Sequence, residues 1–396
     1  MGPLDGVRVL DMGNLAAGPI TTTLLGDLGA EVIKIEHPRV PDSARGYGPQ
    51  YRGRSLYWRS IGRNKRCVTL DLSQPEGRPV LDALLERADI VVENFRPGTL
   101  EKWGITWEGM QAVNPGLILL RTSAYGQEGP YRGYPGFGSI AEAMSGYAFI
   151  TGEPDGPPQL PQFPLADGLA AYMGAVGVLA ALQHRTVTGR GQWIDNTLYE
   201  PIMRLIEIVN MEYRHLGTVR QRSGSRLVDS SPRGAYLTAT KDAWVALSGS
   251  SNATALRVLR AIGRDDWADD PDLATNPGRV RRSDEIHRAL ADWIGAHEVE
   301  DVLATFRAAD APIGRIYDAS TATEDSHFRA RDTFVEVADD DGEMISVQNV
   351  MPRFSETPGA VRRLGAAHGS DTDEVYGELL GIAAERLAAL RASGVI

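Results

Sequence analysis

This 396-residue chain has one cysteine, Cys67, which excludes an internal disulfide framework and any cysteine-rich metal site. A lone cysteine of this kind reads as a small buried hydrophobe rather than a nucleophile. Positive charge is also in short supply, with 41 Lys and Arg against 52 Asp and Glu and a net charge of −11. No long run of Lys or Arg appears, so nucleic acid and an anionic membrane are not expected as main partners, and room remains only for a local basic pocket. The N-terminus lacks a cationic stretch followed by an apolar one. The most apolar segment, 165–182, is rich in Gly and Ala and slightly short of a bilayer span of about 20 residues. A soluble, cytoplasmic protein is the expectation. Apolar residues make up 42 % of a chain too long for one ordinary core, so two domains are expected.

Strand and helix signals alternate through the first third. Val7–Met12 is β-prone, and the turn from Gly13 to Pro19 leads into a helix with Ile20, Leu24, Leu25 and Leu28 on its apolar side. Gly29 ends that helix, and Glu31–Glu36 follows as a second strand, giving one βαβ unit. Cys67–Leu72, Asp89–Asn94 and Leu117–Thr122 repeat the strand signal, with helices over 75–88 and ending near Asn114. A Rossmann-like α/β domain with a parallel sheet results. The turn from Gly13 to Gly18 cannot be written G-x-G-x-x-G, so Glu36 at the end of the second strand is not read as the ribose acid of a dinucleotide site.

Ligands in such sheets bind beyond the carboxyl ends of the strands. There, Asn94-Phe95-Arg96-Pro97-Gly98 offers an amide, an aromatic plane and a guanidinium, a set that suits an adenine and a phosphate and equally an ordinary exposed turn. Arg63-Asn64-Lys65-Arg66 is a compact cationic cluster, read as a solvated turn unless a polyphosphate lies near it. The run Leu165–Leu182 carries a single acid, Asp167, at its opening, with Gly168 beside it. An acid there is either a helix cap or a reagent.

Pro-Leu-Asp-Gly-Val-Arg-Val-Leu-Asp, Leu-Gly-Ala-Glu-Val-Ile-Lys-Ile-Glu-His-Pro, Asn-Lys-Arg, Val-Glu-Asn-Phe-Arg-Pro-Gly, Ala-Tyr-Gly-Gln-Glu-Gly-Pro-Tyr and Thr-Gly-Arg-Gly-Gln follow one another in this chain. Together they resemble the family III CoA-transferases, which include formyl-CoA and carnitine CoA-transferases and the related α-methylacyl-CoA racemases. The resemblance runs from residue 3 to the Pro-Arg-Phe-Ser-Glu-Thr-Pro stretch at 352–358. It implies that Asp167 is the nucleophile, with Gly168 at the catalytic position beside it. It implies that coenzyme A, as cosubstrate, meets Leu15, Ala16, His37, Leu70, Asn94, Phe95, Arg96, Lys102 and Phe137. Tyr47, Gly138 and Gly249 fall where the family places its acyl pocket, and no metal is implied. Backbone donors at Gly168 and in the loop Ser248–Asn252 are candidates for holding the oxyanion.

The implied reaction moves CoA from an acyl-CoA donor to a carboxylic acid. The carboxylate attacks the thioester to give an anhydride and a CoA thiolate, the thiolate returns to form an aspartyl-CoA thioester, and the acceptor acid reverses the exchange. Two alternatives accompany this reading: an α-methylacyl-CoA racemase or isomerase, and a non-catalytic acyl-CoA-binding protein. Racemisation needs two bases, and Phe137 stands where the racemases carry a histidine. Oxalate is disfavoured as acceptor by Ala16 and Gly138, where the oxalate enzymes carry a glutamine and an acid. A longer or less polar acid is expected instead, with succinyl-CoA as donor.

The remaining chain reads as a strand at 193–198, a helix from about 199 to 215, a hairpin turning at Lys241-Asp242, helices over 252–262, 283–296 and 299–309, a second hairpin around a solvated Asp339–Gly342 turn, and a helix near 372–392. The expected organisation is a large domain over 1–200, a linker over 201–225, a smaller α+β domain over 226–330, and a C-terminal segment, 331–396, returning to the large domain. An interlocked homodimer is implied by the resemblance.

Overall fold

The computed structural model describes residues 1–396. They divide into two units, one of residues 1–147, 160–208 and 330–396, the other of residues 148–159 and 209–329.

The first unit is built on six strands: β1 (Arg8–Asp11), β2 (Glu31–Glu36), β3 (Lys65–Thr69), β4 (Ile90–Glu93), β5 (Ile118–Ser123) and β6 (Trp193–Thr197). Their order is β3-β2-β1-β4-β5-β6, and every neighbouring pair is parallel. The order reverses between β1 and β4, which makes the carboxyl ends of those two strands the expected ligand crevice. Side chains alternate between two cores. Val9, Val32, Ile90 and Val92 face Leu25 and Val178 on one side. Leu10, Ile33, Val68, Val91 and Leu119 face Leu81, Leu84 and the C-terminal residues Tyr376, Leu387 and Ile396 on the other. Such two-sided burial is what a parallel sheet requires.

Seven helices position the site: α1 (Ala17–Asp27), α2 (Leu56–Ile61), α3 (Arg78–Leu85), α4 (Thr99–Lys102), α5 (Trp107–Val113), α6 (Gly138–Met144) and α7 (Leu165–Thr188). The last is 24 residues long and closes at Gly189, whose φ of +71° a side chain would strain. By length and composition alone α7 could cross a membrane, contrary to the shorter segment expected. Its Ala170, Ala171, Gly174, Val178 and Ala181 edge is buried. A Cβ on Gly174 would lie 2.8 Å from the Leu120 side chain and 3.3 Å from Thr21 Oγ1. The small residues therefore let α7 approach β5 and α1 closely.

Four local readings are corrected. The cationic cluster is neither a solvated turn nor free for a phosphate: Lys65 is fully buried against Asp11, Arg63 pairs with Asp27, and Arg66 with Glu31 and Glu374. Asp339 is buried and paired with Arg59 and Arg54 rather than solvated. The tail is not one helix, because Thr372–Leu379, which ends in a π-type turn, and the α-helix Ala384–Ala392 are separate segments. The helix expected from 199 to 215 is likewise interrupted at Ile206.

In the second unit, β7 (Arg233–Leu237), β8 (Trp244–Ser248) and β9 (Ile313–Arg315) form an antiparallel sheet in the order β9-β8-β7. The hairpin turns through Asp242 at φ +58°. Helices over Asn252–Ala261, Ser283–Gly295 and Val299–Ala308 close a core around Val258, Leu290, Val302 and Phe306.

Candidate functional site

The turn from Gly13 to Ala16, between β1 and α1, is held by buried charge. Asp11 accepts the Gly13 N–H at 2.9 Å, the Thr22 hydroxyl at 2.6 Å and the Lys65 ammonium at 2.9 Å. Lys34, also fully buried, donates to the Gly13 carbonyl and pairs with Asp42 at 2.8 Å. Asp42 in turn accepts the Leu15 N–H at 2.9 Å. Leu15 sits at φ +67°, a conformation that costs a branched residue energy and persists here under that clamp. Burial alone would raise the Asp11 pKa, but Lys34 and Lys65 outweigh it and hold the carboxyl below its ordinary value.

Beyond this turn a solvent-open cleft of about 550 Å³ lies at the strand-order reversal. It gathers His37, Leu70 and Phe95 from the expected set, with Asn14, Asp71 and Trp103 added. His37 Nδ1 accepts the Arg39 N–H at 3.0 Å, so its proton resides on Nε2, 3.2 Å from Asp71. Phe95 and Trp103 meet edge to face at 5.3 Å. Asn94 is engaged differently from the expectation: its amide exchanges hydrogen bonds of 2.7 and 2.9 Å with the Asn14 backbone, which locks the β1 and β4 ends together. Arg96, in the loop before α4, and Lys102, at the end of α4, are exposed, and neither they nor Leu15, Ala16 or Phe137 line the cleft. Glu36 is occupied by Arg45 and the Asp42 N–H, which removes it as a ribose ligand. Cys67 is fully buried, and burial followed by the nearby Glu36 pushes its thiol up to about 12.

At the other end of the same turn stands Asp167. It is the third residue of α7, whose cap position is Pro164 and which has no side-chain cap, so the capping role is not filled by Asp167. Its carboxylate accepts N–H groups from its own backbone and from Ala17 at the start of α1. Burial first, then the negative charge of Glu142, nevertheless push it up to about 6. The helix terminus therefore does not keep Asp167 fully ionised at acid pH. Rates that need the carboxylate should fall about tenfold for each pH unit below 6, as a pH profile of kcat/KM would show. Gly138 is buried at the start of α6, and a Cβ there would overlap Asp167 Oδ2. Gly138→Ala is thus expected to displace the carboxylate and lower kcat by about 10²-fold with the fold retained, measurable by steady-state kinetics beside circular dichroism.

Gly168 does not offer the oxyanion donor expected of it, since its N–H is bound to the Pro164 carbonyl at 2.9 Å. Tyr47 is 57 % exposed and meets Tyr57 edge-on at 5.2 Å. Burial, then the charge of Asp167, push the Tyr57 hydroxyl up to about 12, which keeps it a neutral donor. In the second unit, the Gly249 N–H is bound to the Pro232 carbonyl at 2.7 Å, and Ser251 caps the helix at Asn252 by accepting the Thr254 N–H. The sequence reading missed Tyr57, Trp103, Asp42 and Glu142. Glu142 falls one helical turn after Gly138, a spacing that would have drawn attention to it.

Comparison with known proteins gives the family and the fold. The family model described as CoA-transferase family III matches residues 4–372. A succinyl-CoA:D-citramalate CoA-transferase of Chloroflexus aurantiacus is 42 % identical over 395 residues, covering all of this chain and 98 % of the relative. The beta subunit of a succinyl-CoA:L-malate CoA-transferase from the same organism is 41 % identical, again over all of this chain and 98 % of its own. Among solved structures, a CaiB/BaiF family protein from Brucella suis superposes with a TM-score of 0.82 at 28 % identity, covering 96 % of this chain and 99 % of that one.

Proposed function

The chain belongs to CoA-transferase family III and moves CoA between an acyl-CoA and a carboxylate, and from that premise we propose that succinyl-CoA is the donor, a four- or five-carbon dicarboxylic acid the acceptor, and Asp167 the nucleophile. The observation that carries the assignment of Asp167 is its placement: an acid with a raised pKa, reached by the Ala17 N–H and pressed against Gly138, at one end of the turn whose other end lines the open cleft. The acid pair is drawn from the relatives, whose names specify succinyl-CoA with citramalate or malate. Both acceptors are longer than oxalate, in keeping with the sequence reading, and both are more polar than it anticipated.

In this reading the Asp167 carboxylate attacks the succinyl thioester carbon and expels CoA thiolate, leaving an aspartyl–succinyl anhydride. The thiolate then attacks the aspartyl carbonyl, succinate departs as carboxylate, and aspartyl-CoA thioester remains for the incoming diacid to attack. Thioester energy is conserved because each step exchanges one activated acyl bond for another. Tyr57, a neutral hydroxyl whose titration responds to the charge of Asp167, and the Ala17 N–H, which reaches the Asp167 carboxylate, are the candidate donors to the developing oxyanion. His37 with Asp71, and Phe95 with Trp103, receive the nucleotide of CoA. The exposed Tyr172, Met173, Val176 and Leu179 of α7 support a homodimer, and a cytoplasmic location fits a soluble metabolic enzyme.

Incubating the protein with succinyl-CoA and a panel of mono- and dicarboxylic acids in deuterated water, followed by mass spectrometry, tests the reading. New acyl-CoA with diacids, without deuterium at the α-carbon, is the expected result; deuterium uptake without exchange would instead indicate an isomerase. Borohydride should reduce the trapped aspartyl thioester to an alcohol at position 167. Trp103→Ala is expected to raise KM for acyl-CoA about tenfold with kcat retained, as initial-rate kinetics would show.

A further inference from the structure

We propose that Glu142 is a positioning residue for the nucleophile, a buried carboxylate that fixes the first turn of α7 from outside the helix and holds a second negative charge against Asp167. The proposal rests on the reading of Asp167 given above.

A helix begins with N–H groups that have no partner within the helix. In α7 the cap residue, Pro164, supplies no side-chain acceptor. The Leu165 N–H turns back to the Phe163 carbonyl at 2.8 Å, and the Asp167 N–H to its own carboxylate. Between them the Ala166 N–H is taken by Glu142 Oε1 at 3.2 Å. Glu142 is 2 % exposed and comes from α6, so a different element caps the helix that carries the nucleophile. One turn earlier on α6, Gly138 lies against Asp167 Oδ2. The short helix α6 therefore touches the first turn of α7 at two places, one steric and one charged.

The groups that face Asp167 show what that charge does. From α1 comes the Ala17 N–H, with no charged residue in that helix's first turn. From α2 comes Tyr57, which stays neutral. From α6 comes Glu142, and no Lys or Arg acts on Asp167 from any side. The second carboxylate thus opposes the helix terminus and makes the nucleophile more basic than an aspartate in that position would otherwise be. A more basic carboxylate is the stronger nucleophile once ionised.

Glu142→Gln keeps an oxygen for the Ala166 N–H and removes the charge, whereas Glu142→Ala removes both. For Glu142→Gln the acid limb of kcat/KM, near 6 in the parent protein, is expected to move down by about half a pH unit or more, and kcat at pH 8 to fall about two- to threefold. For Glu142→Ala, kcat should fall about tenfold or more across the pH range, with KM for succinyl-CoA held within about twofold. Thermal melts of both variants establish that they are folded. A limb that stays in place in Glu142→Gln, whether or not the rate falls, overturns the proposal, because a merely structural cap would leave the titration alone. Asp167→Asn serves as the separate control. If that variant still exchanges CoA, the nucleophile reading itself fails; if it is dead and the limb is unmoved by Glu142→Gln, only the role of Glu142 fails.

Discussion

Asp167→Asn is expected to lower CoA exchange by about 10⁴-fold or more and at the same time to make the protein more stable. The two effects share one cause. The carboxylate is pushed up to about 6 because burial and Glu142 disfavour its charge. With a folded pKa above the unfolded value of about 3.9, the ionised group costs stability at neutral pH. That cost is full above pH 6, shrinks as pH falls from 6 toward 4, and vanishes once the group is protonated in both states. An amide of the same shape escapes it, so the variant should gain about 1–3 kcal/mol at pH 8 and almost nothing at pH 4. Urea unfolding at both pH values reads the stability, and succinyl-CoA exchange reads the activity. Unchanged exchange in the variant would remove Asp167 from the chemistry, whereas loss of exchange with no gain in stability would show that the site does not strain its carboxylate.

The parallel sheet was legible because its determinants are local. Glu31–Glu36 is a strand with the bounds read from its apolar pattern, and Gly29 stops α1 at a φ of +110° that a side chain resists. Asp167 was legible as a candidate for a similar reason: one acid at the head of a Gly/Ala run is conspicuous in sequence. What could not be read was the far partner of each charged residue. Lys65 looks like part of a surface cluster until β3 carries it to Asp11, 54 positions away in the chain. Asp339 looks like a turn acid until Arg59, 280 positions earlier, reaches it. Gly168 and Glu142 exchanged importance on the same ground, since the helix takes the N–H of the first while the carboxylate of the second crosses from α6. The excursion of residues 148–159 into the second unit carries no periodicity that would announce it.

Those long-range charges set the second large effect. Asp11→Asn is expected to destabilise the protein by about 3–5 kcal/mol, because it leaves two fully buried ammonium groups facing a neutral amide. Lys65 is the more exposed to the loss, since burial already holds its pKa below the ordinary value and Lys34 adds to that push. In the variant it would shed its proton, leaving an amine between Thr22 and the Pro19 carbonyl, whose hydrogen bond of 2.7 Å it now satisfies as an ammonium. Denaturant midpoints should show the deficit at pH 7. It should diminish as pH falls below about 4, because the stability that Asp11 contributes is present above the unfolded carboxylate pKa and is lost as its own depressed pKa is passed. Removing both partners in Asp11→Asn with Lys65→Met should recover part of the loss, since a buried pair is costly to break and cheap to replace. The same substitutions reach the site through Gly13, whose N–H rests on Asp11 and whose carbonyl rests on Lys34. If the turn is held by these charges, the single variant will raise KM for acyl-CoA more than it lowers kcat. A variant as stable as the parent, with an unchanged KM, would mean that the strained Leu15 turn is maintained by packing alone.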